Sequence, residues 1–206
     1  MDNHKLVKDT YNKIAAAYSE KWSDTSEFLL SNLKKFSKLM PKNASVLDLG
    51  CGAGRDCQYF CEQGFSVWGV DFSPGMIAIA KKTAPKARFR LEDFNKINFK
   101  NNYFDGIWSF FSILHLRREE ILPLFLRLNS FLRAKGTFFV FTKEGKGERI
   151  EAEHLNESLE MFETYFSKRE LEDLLKKANF KIIESKILAN HKRTNEKMIS
   201  ILTQKD

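Results

Sequence analysis

Hydrophobic positions along the chain follow first one period and then another. From Leu6 to Tyr18 apolar side chains return every three or four residues, with Leu6, Tyr11, Ile14, Ala15 and Tyr18 sharing a face, which predicts a helix over residues 5–21. A second helix is predicted from near Asp24, whose spacing to Glu27 fits a capping box; it carries Phe28, Leu29, Leu33, Phe36 and Leu39 inward until Pro41. The pattern then shortens to compact apolar runs at Val46-Leu47-Asp48-Leu49, Val67-Trp68-Gly69-Val70, Ala87 to Leu91, Phe104 to Phe111 and Thr137 to Thr142. Runs of this kind suit parallel strands buried on both faces. Helical segments separate most of them: Arg55 to near Gly64, a helix opened by Ser73 and Pro74, and Glu119 to Leu132, which ends before Gly136. Alternation of this sort predicts an α/β, doubly wound sheet.

The stretch from Lys143 to Phe166 is too long for a plain connection. Insertions of that length commonly carry function, and Glu148, Phe162, Tyr165 and Phe166 are candidates for a wall against a substrate. Beyond it, Ser167 with Glu170 makes a capping box for a last helix, and Asn179 suits its left-handed end.

Chemistry concentrates where the first strand meets its helix. Gly50-Cys51-Gly52-Ala53-Gly54 places three glycines in one turn, so a ligand can approach the main chain closely. The unpaired amides of the following helix favour an anionic group near Arg55. The dinucleotide fingerprint G-x-G-x-x-G is not met, because Arg55 stands where its third glycine would be. A long cation there suits a single carboxylate better than a close-packed pyrophosphate. Asp71 ends the second strand about twenty residues on, at the position that holds a ribose through its hydroxyls in such folds. The ligand so described has a nucleoside and a carboxylate and needs no phosphate.

Four ordered motifs, Val46 to Gly54, Gly69-Val70-Asp71-Phe72-Ser73, Leu91-Glu92-Asp93-Phe94 and Phe104-Asp105-Gly106-Ile107-Trp108, resemble those of class I S-adenosylmethionine-dependent methyltransferases. The resemblance covers nearly the whole chain. It implies a Rossmann-like, seven-stranded sheet, mostly parallel with a closing antiparallel strand, in which Phe180 to Leu188 and Glu196 to Thr203 form the closing pair. It further implies S-adenosyl-L-methionine as cofactor, bound by Asp48, Gly50, Cys51, Gly52, Gly54, Arg55 and Tyr18, with Asp71 on the ribose. By the same resemblance Phe72 and Met76 contact the base, the Asp93 carboxylate accepts from the adenine amine, and the Phe94 amide donates to a ring nitrogen. The segment Tyr11-Asn12-x-Ile14-Ala15-x-x-Tyr18 resembles one that closes over cofactor and substrate in related enzymes, which makes Tyr11, Tyr18 and Trp22 lid candidates. Ser109 to His115 is expected to face the methyl group, with Ser109 near the cofactor and His115 as general base or as a hold on the substrate.

The length of 206 residues predicts a single domain over 1–206, divided into a helical lid (1–42), a cofactor-binding core (43–142), the substrate-side insertion (143–166) and the closing elements (167–206). Cys51, Cys57 and Cys61 fit no zinc spacing and their odd number argues against a disulfide framework, so they are expected to pack as small hydrophobes, with no metal bound. The absence of an apolar leader or a membrane-length run predicts a cytoplasmic protein. A net charge of +7 permits a nucleic-acid partner, but the lysines are dispersed, as in Lys34-Lys35, Lys81-Lys82, Lys176-Lys177 and Lys192-Arg193. A small-molecule methyl acceptor is therefore expected over tRNA or another nucleic acid, with the chain working as a monomer or homodimer. The remaining rival is a module that binds the cofactor without turnover.

Overall fold

The computed structural model describes residues 2–189 and 196–206; the Lys192-Arg193 pair lies outside them. Two helices lead, α1 (Asn3–Lys21) and α2 (Glu27–Ser37). There follow β1 (Ser45–Leu49), α3 (Arg55–Glu62), β2 (Ser66–Asp71), α4 (Pro74–Thr83), β3 (Arg88–Leu91), β4 (Phe104–Phe110) and α5 (Arg118–Phe131). The chain ends through β5 (Leu132–Lys143), β6 (Gly147–Glu153), β7 (Asn156–Tyr165), α6 (Lys168–Lys177), β8 (Phe180–Ala189) and β9 (Lys197–Lys205).

Seven strands form one sheet in the order β3-β2-β1-β4-β5-β9-β8, while β6 and β7 pair separately as a ribbon. The pairs from β3 to β5 are parallel, and β9 runs antiparallel to both β5 and β8. The expected doubly wound sheet with its closing antiparallel strand is thus the observed one. One face buries Leu124, Phe125 and Leu128 of α5 with Leu171 and Leu175 of α6. The other buries Leu29, Leu33 and Phe36 of α2 with Cys57 and Phe60 of α3, around Trp108. Order along the sheet puts the carboxyl ends of β1, β2 and β4 side by side, at the switch point where ligands bind in such sheets. Among the described residues, no helix is long and apolar enough to cross a membrane.

The leading helices depart from the expected uniform lid. The cap of α2 is Ser26, whose hydroxyl accepts from the Leu29 amide, and not Asp24. From that start the inward face is Leu29, Leu33 and Phe36, which leaves Phe28 at 40% and Leu39 at 51% exposure. Gly106 makes room for the helix, since a side chain there would meet Phe36 and Met40 at 2.6 Å. α2 is therefore part of the core, and the helix over the site is α1. Phe36→Ala is expected to cost about 3 to 5 kcal/mol, read as a shifted urea midpoint. A surface lid would give a change within about 0.5 kcal/mol.

The insertion also takes a definite shape, the β6–β7 ribbon. Arg118 fastens its base: the backbone amide donates to Glu148, and the guanidinium donates to the Tyr165 carbonyl and pairs with Glu170. Phe166 is fully buried in the main core.

Candidate functional site

The turn after β1 is tied to β2 before it reaches any ligand. The Gly50 and Cys51 amides both donate to the Val70 carbonyl, at 2.8 and 3.0 Å. Gly52 donates to one oxygen of Asp71 at 3.0 Å, and Ser73 donates to the other at 2.9 Å. Each Asp71 oxygen keeps a further acceptor position. Burial pushes the Asp71 carboxyl up to about 6, against the lowering effect of the Ser73, Gly52 and Phe72 amides. Gly50 sits at φ +74°, where a Cβ would lie 2.3 Å from that of Ser112. Gly52 has only the Tyr18 ring within 4 Å of such a Cβ, at 3.9 Å, so the space above it belongs to the cleft.

α1 closes that cleft from above through side chains on more than one of its faces. Asn12 accepts from the Ser73 hydroxyl at 2.7 Å and the Gly75 amide at 3.0 Å, and Thr10 donates to the Glu160 carbonyl of β7 at 2.8 Å. At its amino end, His4 meets Asp93 and Glu120 at 3.0 and 2.9 Å. Tyr11 meets His115 Nε2 at 2.8 Å.

The His115 tautomer follows from its neighbours. Nδ1 lies 3.0 Å from the Phe162 carbonyl, which can only accept, so Nδ1 carries the proton and Nε2 accepts from the Tyr11 hydroxyl. Burial lowers the His115 pKa despite the nearby Glu163 charge, and burial raises Tyr11 well above the phenol range. Glu163 is held ionised by the Lys143 ammonium at 2.5 Å, which outweighs the effect of its own burial. The site thus contains a neutral imidazole facing a protonated phenol.

Two hollows meet at Tyr18 and Gly52. The larger, about 520 Å3, is lined by Tyr11, Tyr18, Gly50, Gly52, Asp71, Phe72, Met76, Asp93, Phe94, Phe111, Ser112 and His115, all from segments expected at the site from the sequence, together with His4 and Leu116. The smaller, about 330 Å3, is lined by Tyr18, Ser19, Trp22, Cys51, Gly52, Ala53, Arg55 and Asp56.

Three expected cofactor residues lie elsewhere. Asp48 is beneath the turn, accepting from the Cys57 thiol at 3.2 Å, and burial with the nearby Asp56 charge raises its pKa well above the carboxylate range. Gly54, at φ +88°, caps α3 and packs against Ala80, where a Cβ would come within 2.9 Å of the backbone. Ser109 is fully buried and shares a hydrogen bond with Ser112. These three support the turn and do not line it. Arg55 does line the smaller hollow, but it is not poised for a ligand alone: Nε donates to Asp56 at 2.7 Å and Nη1 to the Trp22 carbonyl at 3.3 Å. None of Glu148, Phe162, Tyr165 and Phe166 lines either hollow. Phe162 contributes its carbonyl to His115, and the single Tyr165 hydroxyl lies 2.9 Å from Glu151 and 2.8 Å from Glu163.

A family model described as a methyltransferase domain matches residues 21–185, most of the chain. The chain belongs to the methyltransferase-domain family. The chain is 28% identical over 155 residues to the phosphoethanolamine N-methyltransferase of Plasmodium falciparum, covering 73% of this chain and 58% of that protein. It spans about half the length of the curated relatives it matches. The crystal structure of Burkholderia thailandensis 1,6-didemethyltoxoflavin-N1-methyltransferase, with bound 1,6-didemethyltoxoflavin and S-adenosylhomocysteine, superposes with a TM-score of 0.74 at 23% identity, covering 98% of this chain and 88% of that one. The [4+2]-cyclase SpnF superposes with a TM-score of 0.76 at 13% identity, covering 96% and 94%. The family fold therefore serves more than one chemistry, and the residues of the site must carry the functional argument.

Proposed function

We propose that the chain binds S-adenosylmethionine across the two hollows and transfers its methyl group to a small-molecule acceptor. The observation that carries this reading is the lining of the larger hollow, which holds the Asp71 and Asp93 carboxylates and, among the described residues, no lysine or arginine; His4 at its rim is taken up by Asp93 and Glu120. Such a wall disfavours phosphates and suits a nucleoside joined to a sulfonium cation.

On this reading Asp71 accepts from the ribose hydroxyls and Asp93 from the adenine amine, while the Phe94 amide donates to a ring nitrogen. Phe72 and Met76 supply apolar surface to the base. The amides of Gly50 to Gly52 border the methionine portion, whose carboxylate lies toward Arg55 and Tyr18. When bound, the cofactor supplies a methyl on an activated sulfur leaving group. The chain holds the acceptor in line with that methyl and excludes water, an effect worth up to about 7 to 11 kcal/mol. Where the acceptor carries a proton, Tyr11 takes it as its own phenolic proton passes to His115 Nε2, and the Phe162 carbonyl and Glu163 then face the imidazolium. The acceptor's freed electron pair would then be available to the methyl that the cofactor would supply, with the carbon–sulfur pair leaving on sulfur.

α1 across the hollow favours an acceptor small enough to be enclosed over a folded nucleic acid. The same reading assigns a cytoplasmic location and a monomer or homodimer. Titration calorimetry with S-adenosylmethionine and S-adenosylhomocysteine tests the cofactor, and a panel of small acids, amines and tRNA then tests the acceptor. Folded protein that binds neither nucleoside overturns the proposal. Binding without turnover on the panel favours the non-catalytic module.

Asp71 gives this reading a pH signature. Ionised, it is the better acceptor for ribose hydroxyls, so affinity for S-adenosylhomocysteine should rise as pH increases through about 6 and fall below it. Stability of the ligand-free protein has the opposite sign: a raised carboxyl pKa lets the folded state bind more protons than the unfolded one, and this contribution fades as pH rises through about 6. Asp71→Asn should weaken binding at neutral pH and flatten the curve. Wild-type-like calorimetry in that variant would remove Asp71 from the ribose.

A further inference from the structure

His4 is held in an unusual way for a residue so near the start of a helix. Nδ1 meets Asp93 Oδ2 at 3.0 Å, and Nε2 meets both oxygens of Glu120 at 2.9 and 3.0 Å. Ionised carboxylates only accept, so both ring nitrogens donate and the ring is an imidazolium. The positive end of α1 disfavours a cation at this place, which leaves the two carboxylates to hold it.

The carboxylates are themselves fixed. Asp93 accepts from the Asn95 amide at 2.8 Å through its other oxygen, and Glu120 accepts from the Asn95 side chain and from the Arg117 amide, the latter at 2.7 Å. Asn95 is held in turn by Arg127 of α5, which donates to its carbonyl at 2.5 Å. The charged groups around His4 are thus Asp93 on the loop after β3 and Glu120, Arg117 and Arg127 on or beside α5. On its own helix they are Asp2, which caps α1, and the exposed Lys5 and Lys8. The three side chains of the bridge are only 20 to 28% exposed, and they join three separate elements at the rim of the larger hollow.

We propose that the His4 imidazolium is a latch operated by a proton: bridging Asp93 and Glu120, it pins the amino end of α1 across the hollow, and a bound nucleoside leaves when the bridge opens. This rests on the reading of the hollow as a nucleoside site. Asp93 is the link between the two, because it both anchors the latch and faces the hollow. The Asp93 oxygens bonded to His4 and to Asn95 each keep an acceptor position, so the latch closes on an occupied site without displacing the ligand.

The direction of the pH effect is fixed by the bridge. Burial lowers the His4 pKa, but the Glu120 hydrogen bond and the Asp93 and Glu120 charges outweigh it and raise the value above 6.5. The latch is therefore closed at pH 6.5 and below and opens as pH rises past the raised value. Asp71 and His115 titrate at or below that window, Cys51 at about 11 and Tyr18 at about 12, while Asp48 beneath the turn is raised as well; Asp48 and Asp71 are shared by the wild type and the His4 variants, so the difference between their pH profiles assigns the effect to His4.

Stopped-flow displacement of S-adenosylhomocysteine tests this directly. In the wild type the dissociation rate is expected to rise about tenfold between pH 6.5 and 9, the scale of losing hydrogen bonds to a charged group. His4→Gln should release fast at every pH, and His4→Lys, which keeps a cation, should release slowly throughout. A wild-type rate independent of pH, or a His4→Gln profile matching the wild type, overturns the latch. Failure of the wild type to bind S-adenosylhomocysteine overturns the nucleoside reading instead. Hydrogen exchange of the ligand-free protein then decides the latch: corrected for intrinsic exchange, protection of α1 should fall above pH 7 in the wild type and hold in His4→Lys. Equal pH dependence in the two rejects it.

Discussion

Gly50→Ala should abolish S-adenosylhomocysteine binding and destabilise the fold at the same time. A left-handed backbone at φ +74° costs a residue with a Cβ about 1 to 2 kcal/mol. Steric conflict adds more. The new methyl would lie 2.3 Å from Ser112 Cβ and 3.2 Å from the Phe94 ring, neither of which is the free end of a flexible chain. Overpacking of this kind costs about 1 to 3 kcal/mol, so a total near 2 to 5 kcal/mol is expected from urea unfolding. Relief requires the turn to move, and the turn carries the Gly50 and Cys51 amides bonded to Val70 and the Gly52 amide bonded to Asp71. Binding should therefore weaken by at least about a hundredfold, beyond the reach of ordinary calorimetry.

Gly52→Ala provides the contrast. Its Cβ meets only Tyr18 at 3.9 Å, so stability should fall by little more than the cost of the left-handed backbone, while the methyl fills the space above the turn and blocks the ligand. Ser112→Gly placed on Gly50→Ala should restore part of the lost stability, since it removes the atom in conflict. Equal stability losses in Gly50→Ala and Gly52→Ala would show that the Ser112 contact is not what fixes the turn.

What can be read from the sequence divides along physical lines. The strand that ends at Asp71, the strand just before Asp93, the glycine turn and the cap at Ser73 are set by residues close together in the chain, and each is legible as a pattern. Asp48, Gly54 and Ser109 belong to the same motifs, yet a motif does not say which of its residues face a ligand and which hold the others in place. The Asp48 carboxyl lies under the turn, and the Ser109 hydroxyl turns to Ser112. His4 has no local signal at all, because its partners are 89 and 116 residues away. Asn12 lies within the segment expected over the site, but only the packing of α1 on α4 shows that it accepts from Ser73 and Gly75. Phe111, at φ +55° and lining the hollow, adopts a backbone that no propensity of phenylalanine predicts. The insertion differs from expectation for a related reason. Its aromatic residues suggest a wall, whereas Arg118 and the main core claim Glu148 and Phe166, and the ribbon reaches the site through the backbone carbonyl of Phe162.

That carbonyl makes the second large prediction sharper than a plain deletion. His115→Ala should leave cofactor affinity nearly unchanged and lower turnover by about a hundredfold to ten-thousandfold if the acceptor must lose a proton. It also strips the buried Phe162 carbonyl of its donor, so part of any loss would be structural. His115→Asn separates the two effects, because its amide nitrogen falls near Nδ1 and keeps the bond to Phe162 while Nε2 is gone. Turnover lost in both variants, with stability kept in His115→Asn, identifies Nε2 as the working atom. Tyr11→Phe should resemble His115→Asn, since each breaks the same 2.8 Å hydrogen bond. The double variant should be little worse than either alone, as expected of two groups moving one proton. The pH profile carries the sign: burial lowers the His115 pKa, the base is the neutral form, and kcat/KM should climb with pH through a midpoint below 6.5 to a plateau. An acceptor already ionised in solution would give neither the mutant losses nor that rise, and His115 with Tyr11 would then hold the acceptor without taking its proton. The same two variants, assayed against each acceptor that turns over, therefore report the proton state of the acceptor as well as the role of the pair.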